Sequence, residues 1–473
     1  MTDALWTQEK LVSAIHGRPL GDMPPVITGI SIDSRSVAPG DAFFAIKGDN
    51  FDGHKFVGAA ERAGAVVAIV AERKLASLGA VNLPLIVVHD VLEAMVLLGR
   101  ASRARAKGKI IAITGSVGKT TTKEMMRTVL AASGSVHASV ASFNNHWGVP
   151  LTLARMPENV QFAIFEIGMN HPNEITPLVD MVRPHVALIT NVAEAHLGSF
   201  KNVGEIAKAK AEIFSGLVEG GTAILNHDNE HYKTLKRLAK KAGIEKVLSF
   251  GANKDANFRA RSTARMSDRS EVEADILGET LSFCLNVSGQ HMVSNALGVM
   301  GVALVVGANM PKSAVAIETV TAVQGRGERH SFELPEGTLT IIDEAYNANS
   351  SSMEAAFSVL GESKPGKGGR RIAVLGDMLE LGVFSEGLHK KLADPIVAND
   401  IDLVFLVGSE MLALKEALPP ERIGGHFNSV DGLETQLLKK LHGGDIVIFK
   451  ASLGMKFIPV VKNMVVAFNK KST

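Results

Sequence analysis

The chain has one cysteine, few aromatic residues and almost no net charge in its 473 residues. A lone cysteine excludes an internal disulfide and any zinc site built from several cysteines, and the apolar, strand-like surroundings of Cys284 predict a buried structural thiol. Fifty basic and 49 acidic side chains leave a formal charge of +1, so no overall field favours nucleic acid or an anionic membrane. The longest apolar segment, residues 296–306, falls well short of the roughly 20 residues that span a bilayer. The N-terminus lacks the pattern of a signal peptide, so we expect a cytoplasmic protein without membrane insertion.

The length of the chain exceeds one ordinary hydrophobic core, so we expect about three domains. Short apolar strands alternate with helical segments throughout, which predicts an α/β fold. We predict an α/β domain at residues 1–107, a central domain with a doubly wound, mostly parallel sheet at 108–323, and a smaller Rossmann-like domain at 324–473. The basic run 100–109 predicts a helix end followed by a solvated connector. The charged, glycine-containing segment 324–329 predicts a flexible joint.

A glycine-rich turn between a predicted strand and a predicted helix is the strongest motif. Gly115 and Gly118 flank the turn, and Lys119 and Thr120 follow at the start of the helix. Glycines let backbone N–H groups turn towards one anion, and the helix N-terminus adds partial positive charge. The lysine can reach the outer phosphates of a nucleotide, and the threonine hydroxyl can ligate Mg²⁺. The loop is shorter than the usual pattern because position 113 is Ile, but its context predicts a nucleoside triphosphate site.

Two further side chains are predicted where such a sheet binds its ligand, and a lysine has an unusual position on a predicted helix. Glu166 ends a predicted strand, so it is well placed to hold Mg²⁺, although a solvated strand-end acid has the same pattern. His196 follows another strand at the same predicted edge, where a lone histidine is often structural. Lys210 falls on the apolar face of a predicted helix, while Lys208 falls on the opposite face. A lysine in that position must snorkel to solvent, be paired or be chemically altered.

Taken together, the motifs resemble the ATP-dependent Mur ligases over essentially the whole chain. Five segments carry the resemblance, namely residues 114–121, 144–150, 166–175, 343–349 and 376–382. Within the family they are similar to the members that join D-alanyl-D-alanine to UDP-N-acetylmuramoyl-tripeptide during peptidoglycan synthesis. The resemblance implies ATP and two Mg²⁺ ions as cofactors.

The resemblance also implies a role for individual residues. ATP contacts would come from Gly115, Ser116, Val117, Gly118, Lys119, Thr120, Thr121, Asn295, Arg326, Tyr346 and Asn347. The substrate-binding residues would be Ser34, Arg35, Lys47, Asn144 and Asn145. Thr120 and Glu166 would share one Mg²⁺, and His196 and Lys210 a second, with Lys210 carbamylated by CO₂ as in several family members. The catalytic set would be Lys119, Glu166, His196, Lys210 and Arg326.

Such a ligase would use ATP to convert the terminal carboxylate of the tripeptide into an acyl phosphate, which the amine of the dipeptide then attacks. No protein nucleophile is needed, in agreement with the lack of a convincing Ser–His–Asp or Cys–His pattern. We expect a monomer that closes by a hinge motion about the joints near residues 107 and 324. The alternatives are the sibling ligase that adds the third amino acid, folylpolyglutamate synthase, and a nucleotide-gated binding module without ligase activity. That module would hydrolyse nucleotide slowly, whatever acceptor is present.

Overall fold

Three large β-sheets, one in each part of the sequence, organise the fold, and a small two-stranded sheet pairs residues 6–7 with residues 26–27. The computed structural model describes residues 4–266 and 268–471. In the first part, the sheet order is β2-β7-β6-β5-β4, and only the β2–β7 pair is antiparallel. Strand β6 is buried along its whole length, as expected for a parallel strand covered on both faces. The elements are β1 (Trp6–Thr7), α1 (Gln8–Ala14), β2 (Arg18–Leu20), β3 (Val26–Ile27), β4 (Gly29–Ser31), β5 (Asp41–Phe44), α2 (Val57–Ala63), β6 (Val67–Ala71), β7 (Leu85–Val88) and α3 (Val91–Arg105).

The central part begins with the strand that carries the glycine-rich turn. Its elements are β8 (Lys109–Thr114), α4 (Lys119–Ala131), β9 (Val136–Ala138), α5 (Gly148–Ala154), β10 (Phe162–Glu166), α6 (Ile175–Val182), β11 (Val186–Ile189), α7 (Val203–Ala211), β12 (Thr222–Asn226), α8 (Tyr232–Lys241), β13 (Lys246–Gly251), β14 (Phe258–Arg265), β15 (Ser270–Ile276), β16 (Glu279–Leu285), α9 (Gln290–Val305) and α10 (Met310–Ile317).

These strands form a nine-stranded sheet with the order β16-β15-β14-β13-β12-β11-β8-β10-β9. The strands from β9 to β14 are parallel, and β15 and β16 extend the sheet as antiparallel strands. Apolar side chains of α4, α9 and α10 cover one face, and those of α5, α6, α7 and α8 cover the other, so the predicted doubly wound sheet is confirmed. In this strand order, β9 and β10 lie on one side of β8 and β11 lies on the other, so the connections after β8 and after β10 lead to opposite sides of β8. Such a change in direction opens a crevice at the carboxyl ends of β8, β10 and β11.

The last part holds a six-stranded sheet with the order β17-β18-β22-β19-β20-β21, parallel except for the β17–β18 pair. Helices α15 and α16 cover one face, and α11 to α14 cover the other, where the apolar core continues into the central part. The elements are β17 (Glu328–Leu334), β18 (Gly337–Glu344), α11 (Ser350–Glu362), β19 (Arg371–Gly376), α12 (Ser385–Lys391), α13 (Ala393–Ala398), β20 (Leu403–Val407), α14 (Leu412–Ala417), β21 (Ile423–Phe427), α15 (Leu433–Lys440), β22 (Ile446–Lys450) and α16 (Phe457–Lys471).

The three-part α/β architecture agrees with the prediction. Residue 107 lies between α3 and β8, and residue 323 between α10 and β17, so both predicted boundaries fall outside regular elements, and the boundaries themselves stay predictions. Among residues 4–266 and 268–471, none of the helices combines the length and apolarity that crossing a bilayer needs.

Two local predictions are wrong. The basic run 100–109 does end helix α3, but it is not simply solvated, because Arg103 is buried and donates hydrogen bonds of 2.7 Å to the carbonyls of Val182 and Arg183. The helix packs against α5 and α6, which brings its guanidinium groups against the central domain. Cys284 is half-buried rather than buried, because alternate residues of β16 point to opposite faces and its neighbours take the core positions.

Candidate active site

The glycine-rich turn forms a phosphate cradle at the carboxyl end of β8. Gly118 caps α4 with a φ of +86°, a left-handed conformation that favours glycine, and a Cβ atom there would lie 3.1 Å from the side-chain oxygen of Asn295. Lys119 Nζ donates a 2.7 Å hydrogen bond to the carbonyl of Gly115, which folds the lysine back over the turn. The predicted strand, loop and helix are therefore present, with the N-terminus of a 13-residue helix aimed at the crevice.

A pair of oxygen donors lies beside this cradle. Glu166, the last residue of β10, is only 2% exposed, and its Oε2 accepts a 2.9 Å hydrogen bond from the hydroxyl of Thr120. Its other oxygen accepts a 2.8 Å bond from the side-chain amide of Asn144. Carboxylate and hydroxyl oxygens are hard donors that suit Mg²⁺, so this pair fits the predicted ion when a nucleotide supplies further oxygens.

The C-terminal domain reaches the same place through an aromatic side chain. Tyr346 follows β18, and its hydroxyl lies 3.0 Å from the hydroxyl of Ser142. Ser142 in turn lies 3.1 Å from the Thr120 hydroxyl. The guanidinium carbon of Arg326 stacks over the Tyr346 ring, 4.1 Å from its centre. Tyr346 of the C-terminal domain thus contacts the central domain at Ser142, next to the predicted Mg²⁺ donor Thr120, and Arg326 of the joint stacks on Tyr346.

Three basic side chains with lowered pKa values lie in and behind the cradle. Burial lowers the pKa of Lys119; Glu166 opposes this shift and Arg326 adds to it. Lys210 lies in the last turn of α7, is only 2% exposed, and has a pKa well below its ordinary value because of burial and the charge of Lys119. Burial also lowers the pKa of His196, with Glu380 opposing the shift. The Nδ1 atom of His196 contacts a carboxylate oxygen of Glu380, across the interface between the central and C-terminal domains.

A cavity of about 700 Å³ brings most of the predicted residues together. The predicted residues in its wall are Ser116, Val117, Gly118, Lys119, Thr120, Thr121, Asn144, Glu166, His196, Asn295, Arg326, Tyr346 and Asn347. A second cavity of about 240 Å³ shares Lys119, His196 and Asn347 with it and adds Glu380 and Ser452 from the C-terminal domain. The site therefore lies between the central and C-terminal domains.

Six predicted residues do not line either cavity. Gly115 is buried at the start of the turn, and the side-chain oxygen of Asn145 accepts a 2.9 Å bond from the backbone N–H of Gly148, the first residue of α5. Lys210 lies behind the wall, close enough to Lys119 and His196 for the charges to interact. The other three, in the N-terminal domain, follow the carboxyl ends of the adjacent parallel strands β4 and β5, and two of them are exposed. These three are Ser34, Arg35 and Lys47.

Several residues that the sequence analysis did not assign also belong to the site. Ser142 has no pattern that could identify it, because it stands alone in the loop after β9. Glu380 lies in the segment 376–382, whose resemblance to the family was the only signal. Lys450 Nζ donates 3.1 Å hydrogen bonds to Glu344 Oε2 and to the carbonyl of Asn347 in the cavity wall.

The described residues contain no cluster of three or more His, Cys, Asp or Glu side chains able to hold a metal ion by themselves. Thr120 and Glu166 fit Mg²⁺ only together with ligand oxygens. His196 and an unmodified Lys210 offer nitrogen, which suits Mg²⁺ less well, whereas a carbamate on Lys210 would supply oxygen. The donor chemistry thus favours the first predicted ion and makes the second depend on that modification.

A phosphate cradle, adjacent oxygen donors and a further α/β domain closing over them define a nucleotide-dependent enzyme. Family models match most of the chain: the catalytic domain of the Mur ligase family at residues 26–103, the Mur ligase middle domain at 113–303, and the glutamate ligase domain of Mur ligases at 325–453. The chain belongs to the Mur ligase family, whose members are ATP-dependent ligases.

Individual relatives resemble the chain over nearly its whole length. The UDP-N-acetylmuramoyl-tripeptide–D-alanyl-D-alanine ligase of Escherichia coli K12 is 35% identical over 432 residues, 91% of each chain. Its namesake in Bacillus subtilis is 33% identical over 444 residues, 93% of each chain. A crystal structure of MurF from Acinetobacter baumannii matches with a TM-score of 0.85 and 28% identity, covering 98% of this chain and 100% of that one. MurF from Thermotoga maritima in complex with ADP matches with a TM-score of 0.77 and 25% identity, covering 94% and 98%.

Proposed function

We propose that this protein joins D-alanyl-D-alanine to UDP-N-acetylmuramoyl-tripeptide with the hydrolysis of ATP to ADP and phosphate. The similarity to relatives named for this reaction over nine-tenths of the chain carries the proposal. The cradle of residues 115–120 beside Glu166 supports ATP as the source of energy. The reaction would supply a peptidoglycan precursor in the cytoplasm, and we propose that the enzyme works there as a monomer.

The chemistry begins with a poor acyl donor. The terminal carboxylate oxygen of the tripeptide attacks the γ-phosphorus of ATP, the bond to the leaving ADP oxygen breaks, and an acyl phosphate forms. The amine of the dipeptide then attacks the acyl carbon, loses a proton and displaces phosphate. The first step brings two anions together and the second releases an anion, so the chain's main task is to neutralise charge and to fix the reacting groups in line.

The residues of the cradle fit that task. Backbone N–H groups at the start of α4 and the ammonium of Lys119 would hold the phosphates, and Arg326 would approach from the joint to the C-terminal domain. Thr120 and Glu166 would hold one Mg²⁺, and His196 with Lys210 a second. Mg²⁺, when bound, supplies positive charge to the phosphoryl oxygens.

Lys210 fits this scheme best as a carbamate. Burial lowers the pKa of its amine well below the ordinary value, which favours the neutral form that can attack CO₂. Attack of the amine nitrogen on the carbon of CO₂ forms an N–C bond with loss of one proton and leaves an anionic group. The anion would sit near Lys119 and His196, where it would offset like-charge repulsion.

The N-terminal domain would hold the UDP end of the substrate. Ser34, Arg35 and Lys47 follow neighbouring strand ends. The exposed ammonium of Lys47 suits a diphosphate, and Arg35 would join it by exchanging its 2.6 Å ion pair with Asp33 for the ligand. Asn144 and Asn145 lie on the loop that leads from β9 towards the nucleotide. Closure of the three domains, by hinge motion at the joints near residues 107 and 324, would keep water from the acyl phosphate.

The decisive experiment incubates purified protein with ATP, UDP-N-acetylmuramoyl-tripeptide and D-alanyl-D-alanine, and measures phosphate and pentapeptide product. We expect equal amounts of both, and neither when the dipeptide is omitted or replaced by a single amino acid. Phosphate release that ignores every acceptor would instead indicate a nucleotide-gated binding module. Product from UDP-N-acetylmuramoyl-dipeptide and a single amino acid would indicate the sibling ligase that adds the third amino acid.

A further inference from the structure

Ser142 links two domains at the point where the nucleotide-binding oxygens lie. It stands in the loop between β9 and α5, half-buried in the wall of the 700 Å³ cavity. Its hydroxyl lies 3.0 Å from the hydroxyl of Tyr346 and 3.1 Å from that of Thr120. Thr120 donates the next bond, of 2.9 Å, to Glu166. Three hydroxyl groups and one carboxylate thus form a continuous chain from the C-terminal domain to the end of β10.

Only one direction of donation satisfies every bond in this chain. Each hydroxyl has one proton, and the carboxylate of Glu166 accepts the proton of Thr120. Thr120 can therefore only accept from Ser142, and Ser142 can then only accept from Tyr346. The direction is fixed as Tyr346 to Ser142 to Thr120 to Glu166. Removing the middle hydroxyl breaks two bonds and leaves the Thr120 oxygen without its donor.

A buried lysine holds the loop that carries Ser142. Lys123 is fully buried, and its Nζ donates hydrogen bonds to the carbonyls of Ser139 and Ala141 at 2.8 and 3.1 Å. It also pairs with Glu124 at 3.0 Å. Since burying an ammonium is costly unless it is fully bonded, this arrangement fixes the backbone directly before Ser142. The backbone that presents the hydroxyl is therefore anchored to α4 through Lys123.

We propose that Ser142 is a positioning residue, which couples docking of the C-terminal domain to the orientation of the Thr120 hydroxyl. In this scheme Ser142 contacts neither the substrate carboxylate nor the γ-phosphate, and it acts through Thr120 on one side and Tyr346 on the other. The inference rests on the proposed function for its kinetic consequences. The coupling between nucleotide binding and domain docking does not depend on which reaction the enzyme catalyses.

The test uses Ser142→Ala, Tyr346→Phe and the double variant of the full-length protein. Val140→Ala is the matched control, because this side chain of the same loop is 89% exposed. Calorimetry measures ADP affinity in EDTA and in Mg²⁺, and steady-state assays measure kcat and KM for ATP. Thermal denaturation checks that each variant is folded.

We expect Ser142→Ala to lower kcat about 3- to 30-fold, the range for losing one or two neutral hydrogen bonds. ADP affinity in EDTA should stay within about twofold of wild type, whereas the gain in affinity from Mg²⁺ should shrink, because only the Thr120 orientation has changed. Tyr346→Phe keeps the ring under Arg326 and removes only the hydroxyl, so it should show a smaller loss of the same kind. The double variant should be no worse than Ser142→Ala, and Val140→Ala should match wild type.

Two outcomes overturn the proposal: a Ser142→Ala enzyme within about twofold of wild type in kcat and in the Mg²⁺-dependent gain, or losses that multiply in the double variant. If Ser142→Ala melts much earlier than wild type, Tyr346→Phe decides alone, because it leaves the loop intact. Wild-type protein that forms no pentapeptide would refute the proposed function. The ADP measurements would still decide the role of Ser142.

Discussion

Replacing Glu166 by glutamine tests the oxygen pair at the centre of the site. The carboxylate accepts hydrogen bonds at both oxygens, 2.9 Å from the hydroxyl of Thr120 and 2.8 Å from the amide nitrogen of Asn144. Glutamine has one acceptor oxygen and one donor nitrogen, so either the bond from Asn144 is lost or the bond with Thr120 must reverse its direction, and neither bond keeps a charged acceptor. A hydrogen bond to a charged group contributes about 1.5–3 kcal/mol, which corresponds to roughly 10- to 150-fold in rate. Loss of the negative charge weakens Mg²⁺ binding further.

We therefore expect Glu166→Gln to lower kcat/KM for ATP by at least about tenfold and to raise the Mg²⁺ concentration that gives half-maximal rate. Product formation is measured against Mg²⁺ at saturating substrates, with thermal denaturation as the check on folding. Glu219→Gln, at an exposed position, serves as the control and should behave as wild type. A Glu166→Gln enzyme with unchanged Mg²⁺ dependence would refute the assignment of this carboxylate to the ion.

Four further changes probe other parts of the molecule. Lys119→Ala should lower kcat at least about 100-fold in the phosphate-release assay, because a preorganised charge on the transferring group is lost. Removing CO₂ from enzyme and buffers should lower the rate, bicarbonate should restore it, and Lys210→Arg should not respond to either. Glu380→Gln removes the charged partner of His196 between two domains, so X-ray scattering with an ATP analogue should show a less compact enzyme. Arg103→Met leaves two carbonyls at the end of α6 without donors and should lower the free energy of unfolding by about 2–4 kcal/mol in denaturant titrations.

The central sheet and its cradle could be predicted because their signals are local. Strand, glycine turn, lysine and helix follow each other within a short segment, and the carboxyl ends of parallel strands must share one edge. Glu166 and His196 were found by that rule. The burial of Lys210 followed from helical spacing, and its neighbour Lys208 is exposed as expected. Neither inference needed any knowledge of how the domains dock.

The contacts between domains could not be predicted in this way. Ser142 and Tyr346 are 204 positions apart, and His196 and Glu380 are 184 apart, so no periodicity connects them. The solvated connector was predicted wrongly for the same reason. Charge alone marks Arg103 as a surface residue, and only the docking of α3 against α6 turns its guanidinium inwards. The sequence around a polar loop residue does not indicate its contacts, because those contacts depend on which parts of the fold pack against the loop.

Like charges across the domain interface predict that nucleotide binding favours domain closure. Burial is the main cause that lowers the pKa of Lys119 and of Lys210; Arg326 adds to the shift at Lys119 although Glu166 opposes it, and Lys119 adds to the shift at Lys210. These cations therefore repel one another when no anion lies between them. A triphosphate between the cations would replace their mutual repulsion with attraction to the phosphates, and this would favour docking of the C-terminal domain. An ammonium at position 210 would add to the repulsion, whereas a carbamate would offset it at every stage of the cycle. Carbamylation of Lys210 would thus favour both domain closure and Mg²⁺ binding, because it replaces a positive charge with a negative one.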